Sequence, residues 1–324
     1  MQQTVFHLAR RSAPQIGGVE SHLSQLIPEL QKLGYHSSIL NEQMLLDHSG
    51  GIRSHKLAVW AGMFRQLPAL WQAAIIHVHD VFWWLLPFLP LLWWKRIYIT
   101  FHGYESVAGP SQTQKFWHQL ASWLTRGTIC IGGFHTKWYG VTSNQISYGA
   151  VARVQKQPHT TIKKAVFIGR LESDTGFGSY MQAVALAKKN GSKIHLDVYG
   201  EGSQRSWAEQ YVRRHKLPVT FYGFVPNAGA LIGRYSCAFV SQYLAILESL
   251  SAGVPVIAYA KTEFKKDYLQ MTPFASWISI ANSPTQIVAA YTDLVPLAAA
   301  ARSWSHKQTW KKLAQQYHEL WSKK

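Results

Sequence analysis

Short apolar runs alternate with stretches of helical periodicity along nearly the whole chain, the pattern of an α/β protein built on parallel sheets. Residues 4–9 read as a buried strand. A Gly-Gly turn follows, and Val19, Leu23, Leu26, Ile27, Leu30 and Leu33 then share one face of a helix that Gly34 stops. Residues 37–40, 75–79, 97–101 and 128–131 are further strands of this half. Residues 152–164 are polar, basic and aperiodic, and read as a linker. The pattern then restarts with strands at 165–168, 195–199, 219–222, 237–240 and 255–258, and helices at 178–189, 204–215 and 244–252. Over 303–321, Trp310, Leu313, Tyr317 and Trp321 recur at helical spacing and predict one long amphipathic helix. The expected organisation is two doubly wound domains, 1–151 and 165–302, with the 152–164 linker between them and a terminal helix at 303–324. Two such domains make a cleft, and open parallel sheets bind ligands at the carboxyl ends of their strands.

Composition narrows this reading. At 324 residues and 47% hydrophobic content, each domain has enough apolar material for its own core. The formal charge of +17 favours anionic partners: nucleic acid, phosphate-bearing small molecules or an acidic membrane surface. Nucleic acid is the weakest of these, because no Lys/Arg run or recognition motif accompanies the charge. Cys130 and Cys237 stand far apart, so neither a disulfide framework nor a cysteine metal site is expected. The apolar run before Arg10-Arg11 is too short for a secretory signal, and a cytoplasmic protein is expected. Residues 81–94 (VFWWLLPFLPLLWW) form an uncharged run followed by Lys95-Arg96. It falls short of the roughly 20 residues a spanning helix needs and contains Pro87 and Pro90. It reads either as core or as an interfacial segment on an anionic membrane, where Trp and basic residues are at home.

Chemistry is carried by strand-end loops. Gly17-Gly18-Val19-Glu20 opens the first helix, where glycines let backbone N–H groups approach an anion. Arg170, in FIGRLESDTG, directly follows a strand, and a guanidinium fixed there suits a diphosphate. VYGEG (198–202) is another glycine turn between strand and helix, and FYGFVP (221–226) offers backbone groups to a base edge. Glu248 lies on an otherwise apolar helix, where a carboxylate is costly without a partner and a ribose diol would supply hydroxyls. In His77-Val78-His79-Asp80 the two histidines share a strand face; structural or acceptor-side roles are favoured there over a metal site. No Asp-x-Asp pair occurs anywhere, so no metal or other cofactor is expected.

Taken in order, GGVE, HVHD, TFHG, FIGRL, VYGEG, FYGFVP and LESLSAGVPVIA, ending in a Trp-rich helix, resemble the retaining glycosyltransferases of GT-B fold, family 4 (glycosyl transferases group 1). The resemblance implies two Rossmann-like domains, with a nucleotide-sugar donor on the second, a glycan or lipid-linked acceptor on the first, and the terminal helix packing back on the first. It implies catalytic roles for His102, beside the reacting sugar, for Arg170 on the diphosphate and for Glu248 on the ribose. The implied donor site also takes in Gly17, Gly18, Gly169, Thr175, Gly200, Gly202, Val225, Leu244, Ala245 and Ile246, and the acceptor side Glu20, His79, Asp80 and Tyr104. Two positions depart from the family pattern. Its loops read G-R-L-x-x-x-K-G, and the lysine position is Thr175 here, with Lys163 and Lys164 as the nearest replacements in sequence. Of the family's pair of glutamates only Glu248 is present. The expected activity is sugar transfer with retention, independent of metal, in cell-surface glycan or glycolipid synthesis. The alternatives are a silent nucleotide-sugar-binding protein or partner subunit and, less favoured by the motifs, a GT-B epimerase.

Overall fold

The computed structural model describes residues 3–12, 17–47, 54–152 and 164–323. The chain divides into two compact units. The first comprises residues 1–105, 110–148 and 310–324, and the second residues 106–109 and 149–309.

The first unit is built on six parallel strands: β1 (Gln3–Ala9), β2 (Tyr35–Asn41), β3 (Ile75–His79), β4 (Arg96–Phe101), β5 (Gly127–Ile131) and β6 (Gln145–Ser147), in the order β2-β1-β3-β4-β5-β6. Register aligns His7 with His77 and His79 with Thr100, so these polar side chains share one face of the sheet. The helix Gly18–Lys32 buries Leu23, Leu26 and Leu30. The helix Trp310–Ser322, amphipathic as its spacing predicts, buries Leu313, Ala314, Tyr317, Leu320 and Trp321 in this same unit. The single long helix expected from residue 303 is two. Ala299–Ser305 ends, His306 and Lys307 close its last turn on Arg302 and Trp304, and a new helix starts at Trp310.

The uncharged run 81–94 folds as two short 3-10 segments, Phe82–Trp84 and Leu86–Leu91. It divides by position. Phe82, Trp84, Leu85, Phe88 and Leu92 are core, while Leu91, Trp93 and Trp94 face out, Trp93 at 79% exposure. The adjoining helix His55–Gln72 adds Leu57, Phe64 and Trp71 to the exposed apolar residues. The basic flank is partly engaged. Lys95 donates to the Trp71 and Ala73 carbonyls, neutralising the end of that helix, and Arg96 lies against Tyr98. Among the described residues no helix is long and apolar enough to cross a membrane.

The second unit carries β7 (Lys164–Ile168), β8 (His195–Tyr199), β9 (Val219–Gly223), β10 (Cys237–Phe239), β11 (Val256–Tyr259) and β12 (Ser279–Ala281), in the order β12-β11-β10-β7-β8-β9. Counted within the unit this is the Rossmann order 3-2-1-4-5-6, which reverses between β7 and β10. Phe167, Phe177, Tyr180, Met181, Leu196, Val198, Phe239 and Ile257 fill its core. Between the units, the expected 152–164 linker lies outside the described residues except at Ala152 and Lys164.

Candidate functional site

In a doubly wound sheet the ligand crevice opens outside the carboxyl ends of the two strands at the reversal. Those strands are β7 and β10. Beyond β7, Gly169 at φ +151° turns the chain, and Arg170 projects outward with its Nη2 2.7 Å from the Asp174 carboxylate. The loop is pinned from behind. Leu171 N–H donates to the Glu201 carbonyl, Gln204 N–H to the Leu171 carbonyl, and the Glu172 carboxylate accepts the Ser203 N–H at 2.8 Å. The hydrogen bonds from Ser203 hold the Glu172 carboxyl below its usual range.

Beyond β10, Ser241 is a buried hub. Its hydroxyl lies 2.7 Å from the Tyr180 hydroxyl and accepts the Tyr259 N–H at 2.8 Å. The helix Tyr243–Ala252 starts two residues later with no cap from the Gln242 side chain, and its Tyr243 N–H donates to the Tyr268 hydroxyl at 3.3 Å. Glu248, on this helix, rests against Gly229: a Cβ on that glycine would come within 2.6 Å of both carboxylate oxygens. Burial pushes the Glu248 carboxyl up to about 7. A carboxyl in that condition is a ready hydrogen-bond partner for a hydroxylated ligand.

The remaining donor-side residues divide between crevice and scaffold. Leu244 is half-buried and Ala245 nearly buried in the first turn of the helix, whereas the Ile246 side chain is fully buried and packs inward. Val225 is half-buried, and its carbonyl accepts the Ala228 N–H. Gly200 and Gly202 serve loop packing. A Cβ on Gly200 would meet the Gly169 carbonyl at 1.9 Å, and one on Gly202 the Leu171 backbone at 2.6 Å, so both are glycines because the Arg170 loop lies on them. Thr175 is buried and donates to the Arg170 and Glu172 carbonyls, closing the loop on itself. Lys164 sits at the opening end of β7, paired with Asp197 at 3.4 Å. About 13 Å of strand separates it from the Arg170 end, so it does not replace the missing lysine; Lys163 lies outside the described residues.

In the first unit the carboxyl strand edge is a histidine network. His102 Nε2 is 2.8 Å from His79 Nδ1, His79 Nε2 is 3.1 Å from His7 Nδ1, and His7 Nε2 is 3.3 Å from the Ser37 hydroxyl. A second chain joins the Trp321 indole N–H to His77 Nδ1 at 3.0 Å and His77 Nε2 to Thr100 at 2.8 Å. From Thr100 it continues to Tyr317 at 2.8 Å and on to His22 at 3.1 Å. His22 meets His102 edge to face, ring centroids 4.6 Å apart. Burial, reinforced by neighbouring imidazoles, lowers all of these rings below the ordinary histidine value, His7 and His22 to about 3. Asp80, at φ +64°, accepts the His102 N–H at 3.0 Å, and Tyr104 packs edge-on to Phe134. At Gly17 a Cβ would meet the Glu20 carboxylate at 2.1 Å, so the helix's own acid folds back over the Gly17-Gly18 turn and covers its N-terminus. Among the described residues no group of three or more His, Cys, Asp or Glu is arranged to hold a metal ion.

The sequence pointed to His79, His102, Arg170 and Glu248, but not to His7, His22, Ser241, Gly229 or Lys265. Lys265, on the helix Glu263–Gln270, is buried and donates to the Ser241 carbonyl at 2.9 Å.

Comparison with known proteins follows the same lines. Residues 151–309 match the glycosyl transferases group 1 family. The chain is 24% identical over 266 residues to glycogen synthase of Mycobacterium tuberculosis, an alignment covering 72% of this chain and 60% of that enzyme. The chain thus spans well under two thirds of the length of the curated relatives it matches. Among solved structures, Anabaena HepE in complex with UDP and glucose superposes with a TM-score of 0.73 at 13% identity, covering 98% of both chains. A glycosyltransferase from Rickettsia africae gives 0.69 at 13% identity over 99% of this chain and 98% of that one. The lipopolysaccharide outer core galactosyltransferase WaaB gives 0.66 at 12% identity, covering 98% of each. At these identities the structural likeness establishes the fold.

Proposed function

With residues 151–309 belonging to the glycosyl transferases group 1 family, and two Rossmann-like sheets in the GT-B manner, we propose that this protein transfers a sugar from a nucleotide-sugar donor to a glycan or lipid-linked acceptor, with retention and without a metal ion. The observation that carries the reading is the placement of Arg170 just after β7 and of Glu248 on the helix after β10, the two strands at the reversal of the second sheet. In the proposed reaction the anomeric carbon–phosphate oxygen bond breaks, the acceptor hydroxyl oxygen bonds to the anomeric carbon on the same face, its proton passes to the departing phosphate oxygen, and charge collects on the leaving diphosphate. Arg170 and the start of the helix beyond β10 are fixed positive groups for that charge. Glu248 takes the ribose hydroxyls. In the first unit His102, Asp80 and Tyr104 serve the acceptor, with the His102 ring kept neutral by its surroundings.

The same reading includes a peripheral site on an anionic membrane. Trp93 and Trp94 are exposed, as are Phe64 and Trp71 on a helix that also exposes Lys56 and Arg65, and these residues anchor the enzyme at the surface that holds a lipid-linked acceptor. WaaB, among the proteins of like fold, is described as acting on lipopolysaccharide outer core, and HepE as binding UDP-glucose.

The test is a panel of nucleotide-sugars scored by melting temperature, since a ligand of the folded state raises it. Release of nucleoside diphosphate in EDTA follows for any donor that binds. One donor that stabilises the protein and turns over in EDTA is the expected result. Binding without turnover, with or without magnesium, favours the silent partner-subunit alternative, for which the substituted Thr175 is the motivating observation.

A further inference from the structure

The loop that begins with Arg170 lacks the second cation its family pattern provides, and the residue at that position cannot serve: Thr175 is buried with its hydroxyl bonded to two carbonyls of its own loop. A different lysine occupies the neighbourhood. Lys265 is 3% exposed, donates to the Ser241 carbonyl at 2.9 Å, and holds its ammonium 4.1 Å from the centre of the Tyr268 ring. Ser241 stands at the carboxyl end of β10, beside the strand reversal. Enclosing an ammonium there is costly unless an anion answers it. Burial brings its proton affinity down to about 7; the Asp174 carboxylate raises it and the Arg170 guanidinium lowers it, so both groups lie within electrostatic reach. Asp174 is also the carboxylate held by Arg170 at 2.7 Å. Two cations therefore share the field of one carboxylate, and a sugar-linked diphosphate carries a charge on each phosphorus.

We propose that Lys265, working with Arg170, is the second diphosphate-binding cation of this protein, and that the Asp174 carboxylate holds the place of a phosphate group until the donor arrives. The inference rests on the nucleotide-sugar reading above and deepens it by naming which residues replace the absent lysine. It also gives Asp174 a sign opposite to that of its neighbours: it competes with the ligand they attract. Asp174 and Arg170 face the Lys265 ammonium from the loop after β7, Tyr268 faces it from its own helix, and the Ser241 carbonyl faces it from the end of β10.

The experiment measures binding of UDP, GDP and ADP, each against its bare nucleoside, by calorimetry at pH 7. The wild-type protein is expected to prefer one diphosphate over its nucleoside. Lys265→Met, which keeps the length and apolar stem of the side chain, is expected to lose on the order of ten- to a hundredfold in affinity for that diphosphate and nothing for the nucleoside. Asp174→Asn is expected to tighten the diphosphate several-fold. Raising the pH from 7 to 9 removes the Lys265 proton, so wild-type affinity falls relative to Lys265→Met across that range, a dependence that a purely structural lysine would not produce. Equal diphosphate affinity in wild type and Lys265→Met overturns the inference while leaving the nucleotide reading standing. A wild type that binds none of the three diphosphates overturns both. Should Lys265→Met fail to fold, the half-buried loop variant Asp174→Asn decides, and unchanged or weaker diphosphate binding there overturns the inference.

Discussion

The two units share a doubly wound design but finish the carboxyl edge of their sheets with opposite materials. In the first, five histidines lie against one another and against Tyr317 and Trp321, and each is kept neutral by burial. In the second, the corresponding edge holds formal charges: an arginine–aspartate pair at the rim, a lysine enclosed beneath it and a glutamate against a glycine. A neutral imidazole network needs no counter-ion and orders itself through hydrogen bonds, so it makes a stiff polar wall. Enclosed charges do need a counter-ion, and a site built from them is completed by what it binds. Under the proposed function, the second edge takes the anionic donor and the first the hydroxyl-bearing acceptor.

Acid is expected to break this comparison most strongly. A histidine whose folded value is depressed gives its full stability above the unfolded value of about 6.5, and that stability drains away as pH falls toward the folded value, which for His7 and His22 is about 3. Each such ring costs about 1.4 kcal/mol for every pH unit between its unfolded value and its folded one. Glu248 in the second unit and Asp80 in the first run the other way: with folded values raised to about 7, each loses stability as pH rises from its unfolded value to that point and regains it in acid. With one such carboxyl in each unit, the histidines decide the difference. The first unit should therefore unfold first on acidification. Hydrogen exchange of β1 and β3 against β7 and β8 between pH 7 and 4.5 checks this, and simultaneous loss of protection would erase the distinction.

Arg170→Ala sharpens the comparison from the charged side. The guanidinium is exposed and its pair with Asp174 lies at the surface, so stability changes by less than about 1 kcal/mol. The barrier to transfer rises by about 3–4 kcal/mol, a few hundredfold in rate. Turnover within threefold of wild type would remove Arg170 from the diphosphate.

The smallest effect concerns the aromatic surface of the first unit. Trp93→Ser with Trp94→Ser is expected to leave the melting temperature nearly unchanged and to weaken sedimentation with anionic vesicles about tenfold, the scale of a single interfacial contact. Trp84→Ser, by contrast, opens a core position at 0% exposure and should destabilise by about 3–5 kcal/mol. If the Trp93/Trp94 pair binds vesicles like wild type, charge alone accounts for any membrane affinity.

Much of this architecture was legible in the sequence because long apolar strands and glycine turns are local signals. The ten strands read from apolar runs are present with ends shifted by at most two residues. The two not anticipated, β6 and β12, are three-residue strands at sheet edges, too short to leave a period. Arg170 and Glu248 announced themselves through motif and context. Lys265 did not, because KTEFKKDY reads as a solvated charged helix, and only the fold shows that one of its two adjacent lysines turns inward. His7 and His22 were equally silent. Each is a lone histidine in an apolar element, and their association depends on strand register and helix packing rather than spacing. The Trp-rich run left two readings open, core and interface, and the structure divides it between them: Phe82, Trp84, Leu85 and Phe88 are buried, while Leu91, Trp93 and Trp94 face out.

The first unit is discontinuous in sequence, and this bears on how the molecule is made. Its sheet is covered by Trp310–Ser322, which a ribosome reaches only after the 161 residues of 149–309. At about 5–20 residues per second that is a delay of roughly 8–30 s. Throughout it, the nascent sheet lacks Tyr317 and Trp321, and the imidazoles they seal lie open to solvent with ordinary basicity. Every residue of the second unit is synthesised before the last helix of the first, so the half that begins first is the last to be completed.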